Sequence, residues 1–442
     1  MDNDARNKAL DDWLDYQQRV HPRSIELGLA RVREVWQRLG AAAPGPVVIT
    51  VGGTNGKGST VAFLEAMLVA MGKRVGCYTS PHLQRYNERV RLLGREASDA
   101  ELVDAFERIE AARLMPSRAA IPLTYFEFGT LAALWIFAQS KLDVAVLEVG
   151  LGGRLDAVNI VDADAAIVTT VDLDHQDWLG NDRDSIGYEK AGIFRSGRPA
   201  IIGTREPPAG LLAEAARIGA DVRRAGIDYD FSPRSSGWHW RTGDVSLDLP
   251  TPLLAAPCQT GNAAAAIAAL HGLRERVGWD PCALAAGVRD AQLAARLQRF
   301  ARHGAADVIV DVAHNPQAAA VLSSWLEQNP VNGRTFAVFG ALADKDVGGI
   351  VSPLSPRIDR WYLAGLDTMT TRGLSVADLR TPVAAALPPS ALVVAHANPR
   401  DALASAQKQA GEDDRIIAFG SFYVAAAVLD ALDAASGPER IS

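Results

Sequence analysis

Gly52, Gly53, Gly56 and Gly58 cluster around Lys57, between an apolar β-branched run, Pro46 to Val51, and a segment from Ser59 onward with helical apolar spacing. Strand, glycine turn and helix in this order aim several backbone N–H groups and the positive end of a helix at one point. Lys57 adds a full charge for a phosphate there. The chemistry is that of a nucleoside triphosphate cradle. Two positions depart from the strict pattern G-x-x-x-x-G-K-[ST], with Val51 in place of the first glycine and Gly58 in place of the hydroxyl after lysine. That hydroxyl ordinarily ligates Mg2+, so either Ser59 reaches in or the metal is held from elsewhere.

Glu148 ends an almost wholly apolar strand, Asp143 to Val149, where a carboxylate is costly unless it meets a cation or donors. At the edge of a phosphate-loop sheet that cation is most economically Mg2+. Ser80, at the tip of the strand Arg74 to Tyr78, and His175, at the tip of the strand Ala165 to Val171, complete the expected metal site. The three loops are neighbours if the strand order is that of this type of sheet. Magnesium prefers oxygen, which makes His175 an unusual ligand. Beside Glu148 and Asp174 it nevertheless reads as one.

The elements that must position these residues alternate. Helices are expected at Asn7 to Gln18, Ile25 to Leu39, Asp99 to Arg113 and Phe126 to Gln139, around the strands already named, which implies a parallel sheet with ligand loops at its carboxyl edge. Val222 to Pro250 reads as a small antiparallel excursion, with Trp238, His239 and Trp240 as a packing surface, and an Ala-rich helix follows from Gly261 to Arg276. Alternation resumes from Asp307 to Val312 and runs to a last helix, Phe422 to Leu432, without a G-x-G-x-x-G opening, so a second dinucleotide site is unsupported.

The fold class expected is therefore α/β, a P-loop NTPase-type parallel-sheet domain over residues 1–295 followed by a smaller Rossmann-like α/β domain over 296–442. A chain of 442 residues is too long for one core. Lys and Arg total 45 against 52 Asp and Glu, a formal charge of −7 with no basic block, which argues against a nucleic-acid partner. No apolar run reaches membrane-spanning length, the acidic start MDNDARNKALDDW is unlike a signal peptide, and three scattered cysteines fit a reduced cytoplasm.

GTNGKGST, TSPHLQRYNERVRL, LTYFEFGTLAALWIF, LEVGLGGRLDAVNIVDADAAIVT, DHQDWLGNDRDSIGYEKAGIFRSGRPAI, DVAHNPQAA, DKD and GSFY occur in this order over nearly the whole chain. Together they resemble the folylpolyglutamate synthase family, nearest to its bifunctional dihydrofolate synthase members, within the Mur ligase superfamily. The resemblance implies an ATP-dependent amide ligase that adds L-glutamate to dihydropteroate and to reduced folates through an acyl phosphate. It implies that Thr54, Asn55, Gly56, Lys57, Gly58 and Ser59, with Asn262, Arg296 and Asp311, contact ATP. Ser80, Glu148, His175 and Lys190 would serve two Mg2+ sites, Lys190 as a carbamate, which turns a cation unsuited to a metal site into an anion. Ile25, Glu26 and Leu27, then Thr124, Tyr125 and Phe126, then Leu155, Asp156 and Ala157 match segments lining the pterin site, with Arg85 added as a local cation. His314 and Ser421 match positions near the incoming glutamate, and Lys57, Lys190, His175 and His314 are the expected catalytic groups. A cytoplasmic monomer is expected, with small-molecule partners, no nucleic acid and no membrane.

Two departures stand out. The family's usual Pro-Gly-Arg-Phe-Gln junction is Ala294-Ala295-Arg296-Leu297-Gln298 here, and Cys258-Gln259 replaces a His-Gln pair before Asn262. Rival readings are a monofunctional folylpolyglutamate synthase, a cell-wall precursor ligase, disfavoured by the lack of an evident uridine-nucleotide domain before Val48, and a nucleotide-dependent switch, which has no reason to carry Ser80, Glu148, His175 and Lys190 together.

Overall fold

The structure is a computed structural model that describes residues 9–436 apart from 24, 117, 244, 302 and 303. It divides into two compact units. One runs to Leu253 and resumes over Thr260–Gln292, and the other comprises Leu254–Gln259 and the chain from Leu293.

The first unit is built on an eight-stranded sheet of β1 (Val47–Gly52), β2 (Val75–Tyr78), β3 (Val90–Leu92), β4 (Arg95–Glu96), β5 (Val144–Glu148), β6 (Ala165–Val168), β7 (Pro199–Ile202) and β8 (Asp221–Arg224) in the order β4-β3-β2-β5-β1-β6-β7-β8. β1 is buried along its whole length between parallel neighbours, as its unbroken apolar run requires. Its register sets Val51 opposite Glu148 and Gly52 opposite Val168, which brings the glycine loop, Glu148 and the chain after β6 out at one edge. β3 and β4 run antiparallel at the sheet's end. Their two- and three-residue length leaves too few alternations for a sequence signal.

Three expectations need correction. The helix expected over Ile25 to Leu39 runs only over Ala30–Arg38, because Gly28 takes a φ of 151° and the preceding backbone is held elsewhere. Val222 lies in β8, paired parallel with β7, so the separate antiparallel sheet holds only β9 (Asp230–Pro233), β10 (Trp238–Thr242) and β11 (Val245–Leu249). The Ala-rich helix spans Gln259–Gly272 and breaks before a short turn, Arg274–Val277. The first helix is observed as Leu10–Val20, and its expected start at Asn7 lies outside the described residues. Trp238 and Trp240 are buried as a packing surface, the Trp240 indole donating to the Ala264 carbonyl (3.2 Å).

The second unit has a six-stranded sheet of β12 (Gln298–Phe300), β13 (Asp307–Val310), β14 (Thr335–Phe339), β15 (Arg360–Ala364), β16 (Leu392–His396) and β17 (Arg415–Phe419), ordered β12-β13-β17-β14-β15-β16. All pairs are parallel except β12 on β13. Phe339, Trp361 and Phe419 form an aromatic cluster in its core, with ring centroids 5.2–6.1 Å apart. Among the described residues no helix is long and apolar enough to cross a membrane.

Candidate active site

The glycine loop folds where side chains are forbidden. Gly53 has φ 142°, and a Cβ there would lie 1.9 Å from Thr169 Oγ1; Gly56 has φ 85°, and its Cβ would lie 2.4 Å from Asn262 Oδ1. Asn262 is thus packed directly on the loop. Lys57 begins the helix Lys57–Ala70, and its Nζ donates to the Gly53 and Thr54 carbonyls (3.0 and 3.1 Å), which holds the ammonium over the loop. The chain after β6 clamps the other side. Thr54 N–H donates to Thr170 O (2.8 Å), Asn55 N–H to Thr170 Oγ1 (3.0 Å), Thr169 Oγ1 to Asn55 O (2.6 Å) and Asp172 N–H to Thr54 Oγ1 (3.0 Å). Thr169 closes one of the segments that carry the resemblance and Thr170 follows it, but the β1–β6 pairing is what shows their role. Gly58 and Ser59 lie in the first helical turn, Ser59 buried, while the Thr60 hydroxyl returns to Gly56 O (2.9 Å).

Ser80 and Glu148 meet as expected, the Ser80 N–H donating to Glu148 Oε2 (3.2 Å), and Glu148 is buried. His175 lies on the chain after β6, which leaves the sheet at the same edge as the glycine loop and Glu148. It has a left-handed φ of 52°, and its N–H is fixed by Asp174 Oδ1 (2.9 Å). Lys190, on the helix Arg183–Ala191, is buried. Burial, reinforced by the Lys57 charge, draws its amine down to about 7 against the pull of Asp174 and Asp156. Among the described residues no three His, Cys, Asp or Glu side chains are grouped to hold a metal by themselves.

The three apolar segments converge. Gly28 N–H donates to Leu155 O (3.2 Å), and Arg31 reaches both Glu26 and Glu127, the acid that completes the cap of Thr124 on the helix Tyr125–Gln139. Ile25 and Leu27 lie on the first of these segments, half-buried. A Cβ on Gly150 would meet the Phe126 ring at 2.5 Å, so that loop passes directly over the ring. Tyr125 stands edge-on to Tyr86 and within 5.5 Å of the buried Arg89 guanidinium, whose Nε donates to His82. Burial and that cation push His82 down to about 4, which keeps it a neutral acceptor. Asp156, next to the buried Ala157, is buried and accepts from the N–H groups of Gly150, Leu151 and Val158 (3.1, 2.8 and 3.1 Å). Burial still pushes its carboxyl up to about 7, with the donors and Lys57 opposing. Arg85 is exposed and faces Glu96 (3.9 Å); no hydrogen bond or ion pair among the described residues ties it to these segments.

In the second unit the junction residue Ala295 has φ 53° and Leu297 φ 51°, so the position that is glycine in the family's pattern keeps a left-handed backbone without one. Asp311 pins this turn by accepting from Leu297 N–H (2.9 Å) and Ala313 N–H (2.7 Å); burial raises its carboxyl pKa while Arg296 lowers it. Arg296 and His314 both approach the Phe422 ring (5.6 and 6.0 Å), an organising aromatic the sequence left among helix residues. The buried Ser421 Oγ accepts from Val424 N–H (3.1 Å), capping the last helix. Cys258 is a free, exposed thiol whose pKa is raised to about 11 by the atoms crowded around its sulfur and by Asp311.

Against known proteins, the Mur ligase middle domain matches residues 51–270 and the Mur ligase glutamate ligase domain residues 295–422. The dihydrofolate synthase/folylpolyglutamate synthase of Escherichia coli K12 is 43% identical over 96% of both chains. The structure of E. coli FolC in complex with DHPP and ADP superposes with a TM-score of 0.90 at 42% identity, covering 98% of this chain and 99% of that one. A bifunctional folylpolyglutamate synthase/dihydrofolate synthase with Mn, AMPPNP and L-glutamate bound gives 0.86 at 45% identity, over 97% and 99%. With that agreement spanning both units and every segment described above, the chain belongs to the dihydrofolate synthase/folylpolyglutamate synthase family of ATP-dependent Mur-type ligases.

Proposed function

We propose that this enzyme ligates L-glutamate to dihydropteroate, forming dihydrofolate, and to tetrahydrofolate and its polyglutamates, at the cost of ATP. The observation that carries this reading is the course of the chain after β5. Glu148, the last residue of the strand, meets Ser80, and eight positions on Asp156 lies within the field of Lys57, so one loop joins the phosphate cradle to the pterin segments. A relative solved with DHPP and ADP, and another with AMPPNP and L-glutamate, support the substrate set.

A carboxylate oxygen of the pterin substrate attacks the γ-phosphorus of ATP, the bond to ADP breaks, and an acyl phosphate results. The glutamate amine then attacks the acyl carbon, phosphate leaves, and the amine gives up a proton. Two anions must meet in the first step, and Lys57 with the N–H groups of Gly56 and Gly58 offsets their repulsion. Mg2+ takes one or two carboxylates and fills its remaining positions with water and phosphate, so Glu148 and Ser80 fit a first ion without a protein cage. His175 would complete that set, and a carbamate on Lys190 would help to hold a second ion. The ions would supply charge neutralisation on the phosphates. A buried lysine with its amine drawn to about 7 is largely neutral at mildly alkaline pH, the form that adds CO2, which supports that carbamate. Asn262, Arg296 and Asp311 are assigned to ATP, and His314 and Ser421 to glutamate. Residues 1–295 bind ATP and pterin and 296–442 act in glutamate binding. The protein is read as a cytoplasmic monomer without nucleic-acid or membrane partners.

ADP release, measured with dihydropteroate and with tetrahydrofolate, each with and without glutamate, tests the proposal. Glutamate-dependent turnover with both is expected. Turnover with tetrahydrofolate alone would make the enzyme a monofunctional folylpolyglutamate synthase, and turnover with neither would defeat the ligase reading.

A further inference from the structure

Arg31 occupies a place that no site assignment above gives it. It sits one residue inside the helix Ala30–Arg38, on the flank of the irregular segment that carries Ile25, Glu26 and Leu27. Its Nη1 contacts Glu26 Oε1 at 2.5 Å, and its Nη2 donates to the Glu26 carbonyl (2.9 Å) and to Glu127 Oε1 (2.9 Å). Glu127 is itself buried, and its other oxygen accepts the Thr124 N–H (2.7 Å) in a reciprocal cap whose return bond comes from Glu127 N–H to Thr124 Oγ1. One guanidinium therefore joins a segment without regular hydrogen bonding to the start of the helix that presents Tyr125 and Phe126. His21, buried, adds a second hold on Glu26 at 3.4 Å, and Gly28 N–H ties the same segment to Leu155.

We infer that Arg31 is the positioning residue of the pterin site: its planar fork sets the distance between Ile25–Leu27 and Thr124–Phe126, and so decides how tightly the ring system of the acceptor is held. This rests on the reading that these segments line the pterin site. Only arginine suits the task. Three acceptors on two segments must be met at fixed angles, and a lysine's three donors radiate from a single nitrogen and do not reproduce the planar fork that spans Glu26 and Glu127. The residue touches no reacting atom, and the phosphate cradle is built from other segments. Its loss should therefore appear in the binding of the pterin and leave the binding of ATP alone.

The test is steady-state kinetics of wild type, Arg31→Lys, Arg31→Met and Glu26→Gln, with dihydropteroate and tetrahydrofolate varied against saturating ATP, and ATP varied against saturating pterin. Glu26→Gln guards against a misfolded Arg31 variant, since Glu26 is partly exposed and the change removes one leg of the bridge only. The inference expects KM for dihydropteroate to rise about tenfold in both Arg31 variants and less in Glu26→Gln, with KM for ATP unchanged. Arg31→Lys matching wild type would overturn it, as would equal losses in the ATP and pterin constants or a fall in kcat alone. A wild-type enzyme inactive with both pterins would overturn the ligase reading and this inference with it.

Discussion

Lys190 and Asp156 are opposite answers to one electrostatic problem, a titratable group buried within reach of Lys57. The lysine is held toward neutrality and the aspartate toward its protonated form. For Asp156 the consequence for stability follows from linkage. Between its ordinary value of 3.8 and about 7 the native state keeps a proton that the unfolded chain has released, so stability falls as pH rises through that window. Asp156→Asn cannot ionise, and its unfolding temperature should stay flat where that of wild type declines. The variant should be less stable by about 1 kcal/mol at the acidic end, because a carboxamide nitrogen replaces one of the oxygens that accept from Gly150, Leu151 and Val158. Thermal melts across the window decide the matter, and parallel slopes would place the titration elsewhere. Lys190→Ala should lower turnover about a hundredfold, with partial recovery in excess acetate or propionate standing in for the missing carboxylate. A fully active variant would remove Lys190 from the site.

At the scale of elements, the loops that carry function are those with the most unusual backbone. Gly53 and Gly56 permit approaches to Thr169 and Asn262 that no Cβ allows, and their presence explains itself. The junction Ala294 to Gln298 is different, because Ala295 and Leu297 both take left-handed φ without the glycine that relieves it. The turn survives because Asp311 accepts from Leu297 N–H, Gln298 Oε1 accepts from Ala295 N–H (2.9 Å), and Ala295 O accepts from Val312 N–H (3.2 Å). These bonds present Arg296 at a fixed angle over Phe422. Ala295→Gly should relieve strain and raise stability by about 0.5–1 kcal/mol, the gain being limited by the freer unfolded chain. Urea unfolding with an unchanged slope and a higher midpoint is the expected result, and a lower midpoint would show that Ala295 is not strained.

Each unit has a core of its own among the described residues, one around Phe106, Phe128 and Phe137 and another around Phe339, Trp361 and Phe419. Calorimetry should accordingly depart from two-state unfolding, with a calorimetric enthalpy above the van't Hoff value. AMPPNP with Mg2+ at a hundred times its Kd should stabilise the transition of the unit carrying the glycine loop by about 2.7 kcal/mol. A single two-state transition without nucleotide would show that the cores melt as one.

The sequence by itself determined what is written within a few residues of one position: the glycine loop around Lys57, the acid at the end of an apolar strand, the apolar runs of β1 and β5, and the ordered segments that carry the family resemblance. These are local because glycine conformation, apolar periodicity and helix capping act over one or two turns of chain. The tertiary structure decided which of those segments meet. Arg31 finds Glu127 across 96 positions and Thr54 finds Asp172 across 118. No periodicity encodes such pairings. It also decided that the chain from Ile25 leaves the helix to reach Leu155, and that an alanine at 295 adopts a turn its own chemistry disfavours. In each case a hydrogen bond or a buried ion pair to a distant partner outweighs a local preference of about 1 kcal/mol, and that partner exists only once the sheet has formed.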